Sequence, residues 1–135
     1  MEYIKKFFKN DKFAEYVGIE IVEVSRGRAK AKMEITKEHL NGVNIAHGGA
    51  IFTLADLAFA VASNSHGTVA VAINASITFL KAVTGGTLFA EAEEVSLNPK
   101  LAAYKVSVTD DSGDIVAIFQ GTVYRKKERV NQTFV

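Results

Sequence analysis

The feature that most constrains the fold is residues 50–63, which are apolar on nearly every side of a predicted helix. A helix of this kind, about four turns long, has to be covered by protein on most sides. The pair Gly48-Gly49 comes directly before it, and His66-Gly67 ends it. We therefore predict one long helix at the centre of a small core.

Strand-forming residues occupy most of the remaining chain. Two short runs precede the helix as a predicted hairpin, and four longer runs follow it, with Gly, Asn, Pro and Asp at the turns. The six predicted strands cover residues 19–24, 28–35, 69–80, 87–96, 101–109 and 115–125. An antiparallel sheet of five to six strands wrapped around one long central helix, an α+β arrangement, is the simplest way to bury that helix.

A chain of 135 residues has the size of one domain, which we place at residues 1–125. Residues 1–9 predict a short amphipathic helix and lack the long apolar run of a signal peptide. Residues 126–135 are predicted to form a flexible tail. No apolar stretch is long enough for a membrane-spanning helix, so we expect a cytoplasmic protein with no membrane partner.

The composition excludes several kinds of chemistry. The chain has no cysteine, which removes thiolate nucleophiles, disulfides and thiolate metal ligands, and its three histidines supply a zinc site poorly. A formal net charge of +1 at pH 7 produces no overall field that attracts nucleic acid. We expect no metal and no nucleic-acid partner, and any anionic ligand has to be recognised locally.

Asp56 lies in the middle of the apolar helix, where a carboxylate is costly unless it is paired or protonated. Its neighbours one turn away are Phe52, Thr53, Phe59 and Ala60, none of which is a cation. A hydrogen bond to a backbone group or a serine in the core would make Asp56 structural. We favour a functional role, because acids in such environments concentrate at functional sites.

The segment His47-Gly48-Gly49 opens the same helix after a long irregular connection at residues 36–47. Irregular connections inside a compact domain are usually functional. Glycines at a helix start let a ligand approach free backbone N–H groups at the positive end of the helix dipole. Two glycines alone often form only a turn, but together with Asp56 they indicate a site for a carbonyl oxygen that becomes negative.

The spacing of these two features constrains the assembly. Eight residues separate Gly48 from Asp56, which is about 12 Å along a helix. One substrate carbonyl cannot contact both in one chain. If both act on one bond, they come from two subunits whose helices run antiparallel across a two-fold axis.

Residues 41–60, NGVNIAHGGAIFTLADLAFA, closely resemble the hotdog-fold thioesterases of the phenylacetate-pathway type. The likeness is specific at this motif and extends more loosely over nearly the whole chain, including SITFL at residues 76–80. The resemblance implies a hotdog fold, homodimers with a shared active site, and often homotetramers. It also implies an acyl-CoA substrate, with no cofactor apart from the coenzyme A of the substrate.

Carried over by position, the resemblance places the catalytic acid at Asp56 and the oxyanion-binding amide at Gly48. Asn41 and His47 match loop positions that shape the pocket and hold substrate or water. Gly49 is included among the predicted substrate-binding residues.

Two positions depart from the family pattern. Ala72 stands where some relatives have a hydroxyl residue opposite the acid, so the group that positions water is either missing or replaced by Asn74. In the coenzyme-binding turn, Asn98-Pro99-Lys100 stands where relatives often have a glycine before a basic residue. Lys100 and the cluster at residues 125–127 are candidates for the coenzyme A phosphates, with ordinary solvated charges as the alternative.

We predict an acyl-CoA thioesterase in which Gly48 N–H polarises the thioester carbonyl and Asp56 of the partner subunit is nucleophile or general base. Asn41 is the candidate that orients water or Asp56. Phe52, Phe79 and Leu80 are candidates for the pocket lining, although residues of this kind more often belong to the plain core.

Two alternatives use the same fold. A non-catalytic protein that binds or senses acyl-CoA is one, because a fold does not fix chemistry, but the presence of Asp56 argues against it. A dehydratase is the other, and it would require a histidine acid or base with the aspartate. His66 lies about ten residues away without a fitting motif, and we expect it to interact with the helix dipole.

Overall fold

The computed structural model describes residues 1–130. Its helices are α1 (Glu2–Phe8), α2 (Lys12–Val17) and α3 (Gly48–Asn64), and a short 3-10 helix covers Lys37–His39. Its strands are β1 (Ile19–Ser25), β2 (Arg28–Glu34), β3 (Thr68–Phe79), β4 (Thr87–Leu97), β5 (Leu101–Thr109) and β6 (Ile115–Arg129). No helix within residues 1–130 has the length and hydropathy to cross a membrane.

The six strands form one antiparallel sheet in the order β1-β2-β4-β5-β6-β3. The sheet curls around α3, which contacts all six strands. The predicted α+β hotdog arrangement, with a central helix and an antiparallel sheet, is confirmed. The order leaves β1 and β3 as the two edge strands.

The core lies between α3 and the inner face of the sheet. Leu54, Phe59 and Val61 of α3 are at most 1% exposed, and the alternating inward residues of the strands cover them. Phe59 packs over Gly121 of β6, where an added Cβ would lie only 2.6 Å from the ring. Burial of one such aromatic side chain contributes about 1.5–3 kcal/mol, and Gly121 makes room for it.

The N-terminal helices pack against α3 and β1. α2 begins at Asp11, whose Oδ1 accepts a hydrogen bond of 3.0 Å from Ala14 N–H. It ends at Gly18, whose φ of 91° is in the left-handed region that glycine adopts without strain. Ile4 of α1 is fully buried, so this segment is part of the folded domain.

The C-terminal boundary differs from the prediction of a tail at residues 126–135. β6 continues to Arg129, which pairs with Thr68, and Val130 is fully buried and donates a hydrogen bond of 2.9 Å to Gly67 O. The charged residues of this segment have no alternating apolar pattern that would predict a strand. Backbone hydrogen bonds to β3 nevertheless hold the segment in the sheet. The predicted tail is wrong for residues 126–130, and residues 131–135 lie outside the described residues.

Candidate active site

The first turn of α3 has one unused backbone donor. His47 caps the helix: its Nδ1 accepts a hydrogen bond of 2.8 Å from Gly49 N–H, and its carbonyl oxygen accepts from the N–H groups of Ala50 and Ile51 at 3.0 and 3.1 Å. Gly48 N–H has no acceptor anywhere in residues 1–130. A free donor therefore remains at the positive end of the helix dipole, where a developing negative charge is stabilised.

Close packing explains why glycine occupies the start of α3. A Cβ on Gly48 would lie 3.1 Å from Cζ of Phe79, and a Cβ on Gly49 would lie 3.0 Å from Nδ1 of His47. Both distances are shorter than most real Cβ contacts, so a side chain at either position would have to displace its neighbour slightly. The structure thus brings the predicted residues His47, Gly48, Gly49 and Phe79 together at one end of α3.

Asn41 shapes the loop that leads into this turn. Its Oδ1 accepts hydrogen bonds from Val43 N–H at 3.0 Å and Ile45 N–H at 3.3 Å. The loop also needs Asn44 in the left-handed region, with φ of 63°. The contacts within the chain make Asn41 a loop-forming residue, and its orientation of water or Asp56 stays a prediction.

His39 is a positioning residue that the sequence analysis did not identify. Its Nε2 lies 2.6 Å from Val17 O, its Nδ1 accepts from Thr36 N–H at 2.9 Å, and its carbonyl oxygen accepts from His47 N–H at 2.7 Å. It therefore ties α2 to the residue that caps α3. The only sequence signal is the spacing Thr36 to His39, which forms a capping box around the 3-10 helix.

Asp56 lies on a stripe of α3 that the sheet of this chain does not cover. With Phe52, Thr53 and Ala60, it is half-buried, so the helix is not enclosed on every side. No donor or cation within residues 1–130 contacts its carboxylate, so the hydrogen bond proposed for a structural Asp56 is not formed there. Burial, and secondly the negative charge of Asp11, raise the pKa of Asp56 above its ordinary value.

The two predicted catalytic groups do not meet within one chain. Both lie on the continuous helix α3, and their spacing corresponds to about 12 Å along its axis. The spacing in the structure is therefore the same as the spacing inferred from the sequence, and one substrate carbonyl cannot contact both groups of one chain. Either the two groups serve different purposes, or a second chain brings them together.

β3 lies beside this stripe as an edge strand with exposed apolar side chains. Ile73 is 59% exposed and Leu80 is 58% exposed, and Phe79 is half exposed where it covers Gly48. Asn74 pairs with Thr122, which puts it in register with the outer face of the sheet. The strand has a bulge between Ala72 and Asn74, so the departure from the family pattern at Ala72 lies at an irregular part of the edge.

The predicted coenzyme-binding turn is separate from Gly48 in the same chain. Asn98 Oδ1 accepts from Lys100 N–H and Leu101 N–H at 3.2 and 2.8 Å, and Asn98 O accepts from the Arg125 guanidinium at 2.9 Å. Asn98 therefore builds the turn, and Lys100 is exposed on it. The turn follows Glu94, which contacts His66 beyond the end of α3, so it lies opposite the Gly48 end.

A partly buried polar cluster closes the C-terminal end of α3. His66 Nε2 lies 3.1 Å from Glu94 Oε2, so this carboxylate holds the imidazole, and the interaction of His66 with the helix dipole stays a prediction. Tyr104 Oη is buried in this cluster and lies close enough to Glu94 for that carboxylate to act on it. Burial and the nearby charge of Glu94 raise the pKa of the Tyr104 phenol, which keeps it protonated.

Comparison with known proteins agrees with this geometry. The family model of the thioesterase superfamily matches residues 43–117. A protein of Archaeoglobus fulgidus, provisionally named an esterase, is 49% identical over 130 residues, which are 95% of this chain and 84% of that protein. The acyl-coenzyme A thioesterase PaaI of Escherichia coli is 37% identical over 87% of this chain and 85% of its own length.

Solved structures give the same result. The structure of Escherichia coli PaaI superposes with a TM-score of 0.88 and 35% identity, covering 92% of this chain and 91% of that one. A protein of Streptococcus pneumoniae described as a hypothetical thioesterase and solved with coenzyme A gives a TM-score of 0.84 at 26% identity, covering 90% of this chain and 98% of that one. The chain belongs to the thioesterase superfamily and has the hotdog fold of PaaI-like proteins.

Proposed function

We propose that the protein hydrolyses acyl-coenzyme A thioesters at a site that two subunits form together. The observation that carries this proposal is the pair of unused groups on α3, the Gly48 N–H and the half-buried Asp56 carboxylate, neither of which has a partner within residues 1–130. The relatives support the substrate class, since PaaI is named an acyl-coenzyme A thioesterase and the Streptococcus pneumoniae structure contains coenzyme A.

Gly48 N–H donates to the thioester carbonyl oxygen and stabilises the negative charge that develops there. Asp56 either takes a proton from water that attacks the carbonyl carbon, or attacks that carbon itself to form an anhydride that water then opens. In both routes the C–S bond breaks, the thiolate gains a proton, and a free acid leaves. The raised pKa of Asp56 makes the ionised carboxylate a stronger base than an ordinary aspartate.

A homodimer supplies both groups to one bond. Two copies related by a two-fold axis bring Gly48 of one chain and Asp56 of the other to each of two equivalent sites. The exposed edge of β3 favours this assembly, because an unpaired strand with exposed apolar residues such as Ile73 and Leu80 tends to pair with another chain. The expected homotetramer would be a pair of such dimers.

In this dimer, coenzyme A extends from the Gly48 end of one subunit toward the β4–β5 turn of the partner subunit. The β4–β5 turn with Lys100 lies opposite Gly48 in its own chain, so an antiparallel partner carries its turn toward the Gly48 end of the first. Lys100 and Lys127 are exposed basic side chains for the phosphates, whereas Arg125 is bound to Asn98 and Lys126 is 3.4 Å from Glu128.

Asn41, His47 and Asn74 are the proposed contacts around the carbonyl, and we expect a cytoplasmic enzyme without a metal or cofactor.

Mixing two inactive variants tests the shared site. Asp56→Asn and Gly48→Pro subunits are unfolded together and refolded, and thiol release from an acyl-CoA panel is measured. Random pairing makes about half of the dimers mixed, and each mixed dimer has one site with both defects and one with none. We expect recovery of about a quarter of wild-type activity.

Mass spectrometry confirms that mixed dimers have formed. If they form and no activity returns, each site lies within one chain and the shared site is wrong. If the wild-type protein binds acyl-CoA but releases no thiol from any member of the panel, the protein is a binding or sensing protein on the same fold.

A further inference from the structure

An apolar groove of about 420 Å³ opens between α1, α2, β1 and α3. This volume is within the range of about 300–1,000 Å³ that is typical of small-molecule sites. Five apolar side chains line it: Phe8, Ala14, Ile19, Ile21 and Leu57. The groove is therefore large enough and apolar enough to bury part of a ligand.

Two observations place the groove near the candidate catalytic carboxylate. Leu57, which is next to Asp56 on α3, forms part of the lining. Asp11, on the opposite wall at the start of α2, is near enough for its charge to act on Asp56. A substrate whose carbonyl lies at Asp56 therefore has this groove close by, around α3 in the same chain.

We propose that this groove holds the acyl group of the thioester and selects a neutral, apolar acyl group of medium length. The assignment rests on the proposed function, since it takes Asp56 as the group that contacts the carbonyl. The acyl chain runs from Asp56 past Leu57 and along α2 toward Phe8. Coenzyme A leaves the carbonyl on the other side, so the two parts of the substrate occupy different regions.

The charged residues at the groove disfavour an acyl group with a terminal carboxylate. Two lysines and three acids line it, leaving one excess negative charge: Lys5, Lys9, Asp11, Glu15 and Glu20. An additional carboxylate would meet more acids than lysines and would lose its hydration. A neutral chain has no such cost, and each methylene that it buries is worth about fourfold in binding.

The test compares chain-length preference in two variants that change the groove in opposite directions. In the wild-type protein we expect kcat/KM for hexanoyl-CoA to exceed that for acetyl-CoA by at least about tenfold, and glutaryl-CoA to be poorer than hexanoyl-CoA. Ala14→Leu narrows the groove and should lower the hexanoyl-to-acetyl ratio about tenfold. Phe8→Ala lengthens it and should raise the dodecanoyl-to-hexanoyl ratio at least about threefold.

Phe13→Ala is the matched control, because Phe13 is a 62% exposed aromatic residue of α2 that does not line the groove. Its ratios should equal those of the wild type. Binding of a non-hydrolysable hexyl-CoA thioether, measured by calorimetry, should weaken about tenfold in Ala14→Leu even if hydrolysis is altered for another reason.

The outcomes separate this inference from the proposed function. If the wild type hydrolyses thioesters but both groove variants keep its chain-length ratios, the acyl group lies elsewhere and the assignment is wrong. A wild-type preference for acetyl-CoA or glutaryl-CoA over hexanoyl-CoA also overturns it. Absence of hydrolysis with every substrate, from acetyl to dodecanoyl, overturns the proposed function instead, and the thioether titration still decides whether the groove binds an acyl chain.

Discussion

The two ends of α3 differ in how completely one chain satisfies their hydrogen-bonding groups. At the C-terminal end, Ser65 Oγ accepts from Gly27 N–H at 2.7 Å and donates to Ala62 O at 2.6 Å, and the His66–Glu94 pair is only 14% and 19% exposed. At the N-terminal end, the Gly48 N–H has no acceptor within residues 1–130 and lies beside the open edge of β3. The same helix is closed at one end and incomplete at the other.

The difference indicates which polar groups serve stability and which serve chemistry. Polar groups that are buried and paired cost stability when one partner is removed. Unpaired polar groups at the rim of the core lower the stability of the fold, and they remain available to a substrate. We therefore expect substitutions at the C-terminal end to change unfolding, and those near Gly48 and Asp56 to change turnover.

Replacement of Asp56 by Asn should have the largest effect on turnover. The amide keeps the size of the side chain and removes its basicity, so kcat/KM for thioester hydrolysis should fall about 10²- to 10⁴-fold while the protein stays folded. Circular dichroism and thiol release measure the two properties. Turnover within about threefold of the wild type would refute the catalytic assignment, and a variant that fails to fold would make Asp56 structural.

Gly48→Pro should lower kcat by about two to three powers of ten, because it deletes the proposed oxyanion donor. Proline is tolerated at the first position of a helix, so α3 should still form. Gly48→Ala is the matched control, since it adds the same Cβ against Phe79 and keeps the N–H. If both variants lose activity equally, the crowding against Phe79 and not the missing donor is responsible.

Glu94→Gln should destabilise the fold by about 1.5–3 kcal/mol, because it removes the charged partner of His66 in a mostly buried pair. Turnover per folded molecule should remain unchanged. Glu93→Gln is the control, since Glu93 and Arg28 form a pair at 3.3 Å whose side chains are 51% and 67% exposed, and its loss should cost at most about 1 kcal/mol. Urea unfolding of both variants measures the difference, and equal costs would contradict the comparison.

Asp11→Asn should produce the smallest effect, a shift in the pH dependence of hydrolysis. The charge of Asp11 helps to raise the pKa of Asp56, so its removal lowers that pKa. Activity requires ionised Asp56. The acid limb of the pH profile of kcat/KM should therefore move to lower pH by about a few tenths of a unit. Asn retains the oxygen that caps α2, and Glu15→Gln, with the same charge change on that helix, should leave the limb in place.

Local patterns were sufficient for the elements and for the principal candidates. The apolar run that includes Leu54 and Phe59 predicted α3, and alternation predicted the strands, because burial on one face requires those periods. Asp56 and Gly48 were recognisable because a carboxylate and a glycine pair conflict with an apolar helix. The end of β6 was missed, since backbone pairing with β3 continues under charged side chains.

What the sequence by itself determined is therefore the central helix, the strands around it, and the two groups eight residues apart that one chain cannot bring together. The tertiary structure alone decided which distant groups surround them. Asp11 reaches the neighbourhood of Asp56, His39 bonds to Val17, and Glu94 pairs with His66, because the sheet order and the packing of α1 and α2 bring separate segments together. Such contacts depend on the register and packing of elements far apart in the chain, which no local periodicity encodes.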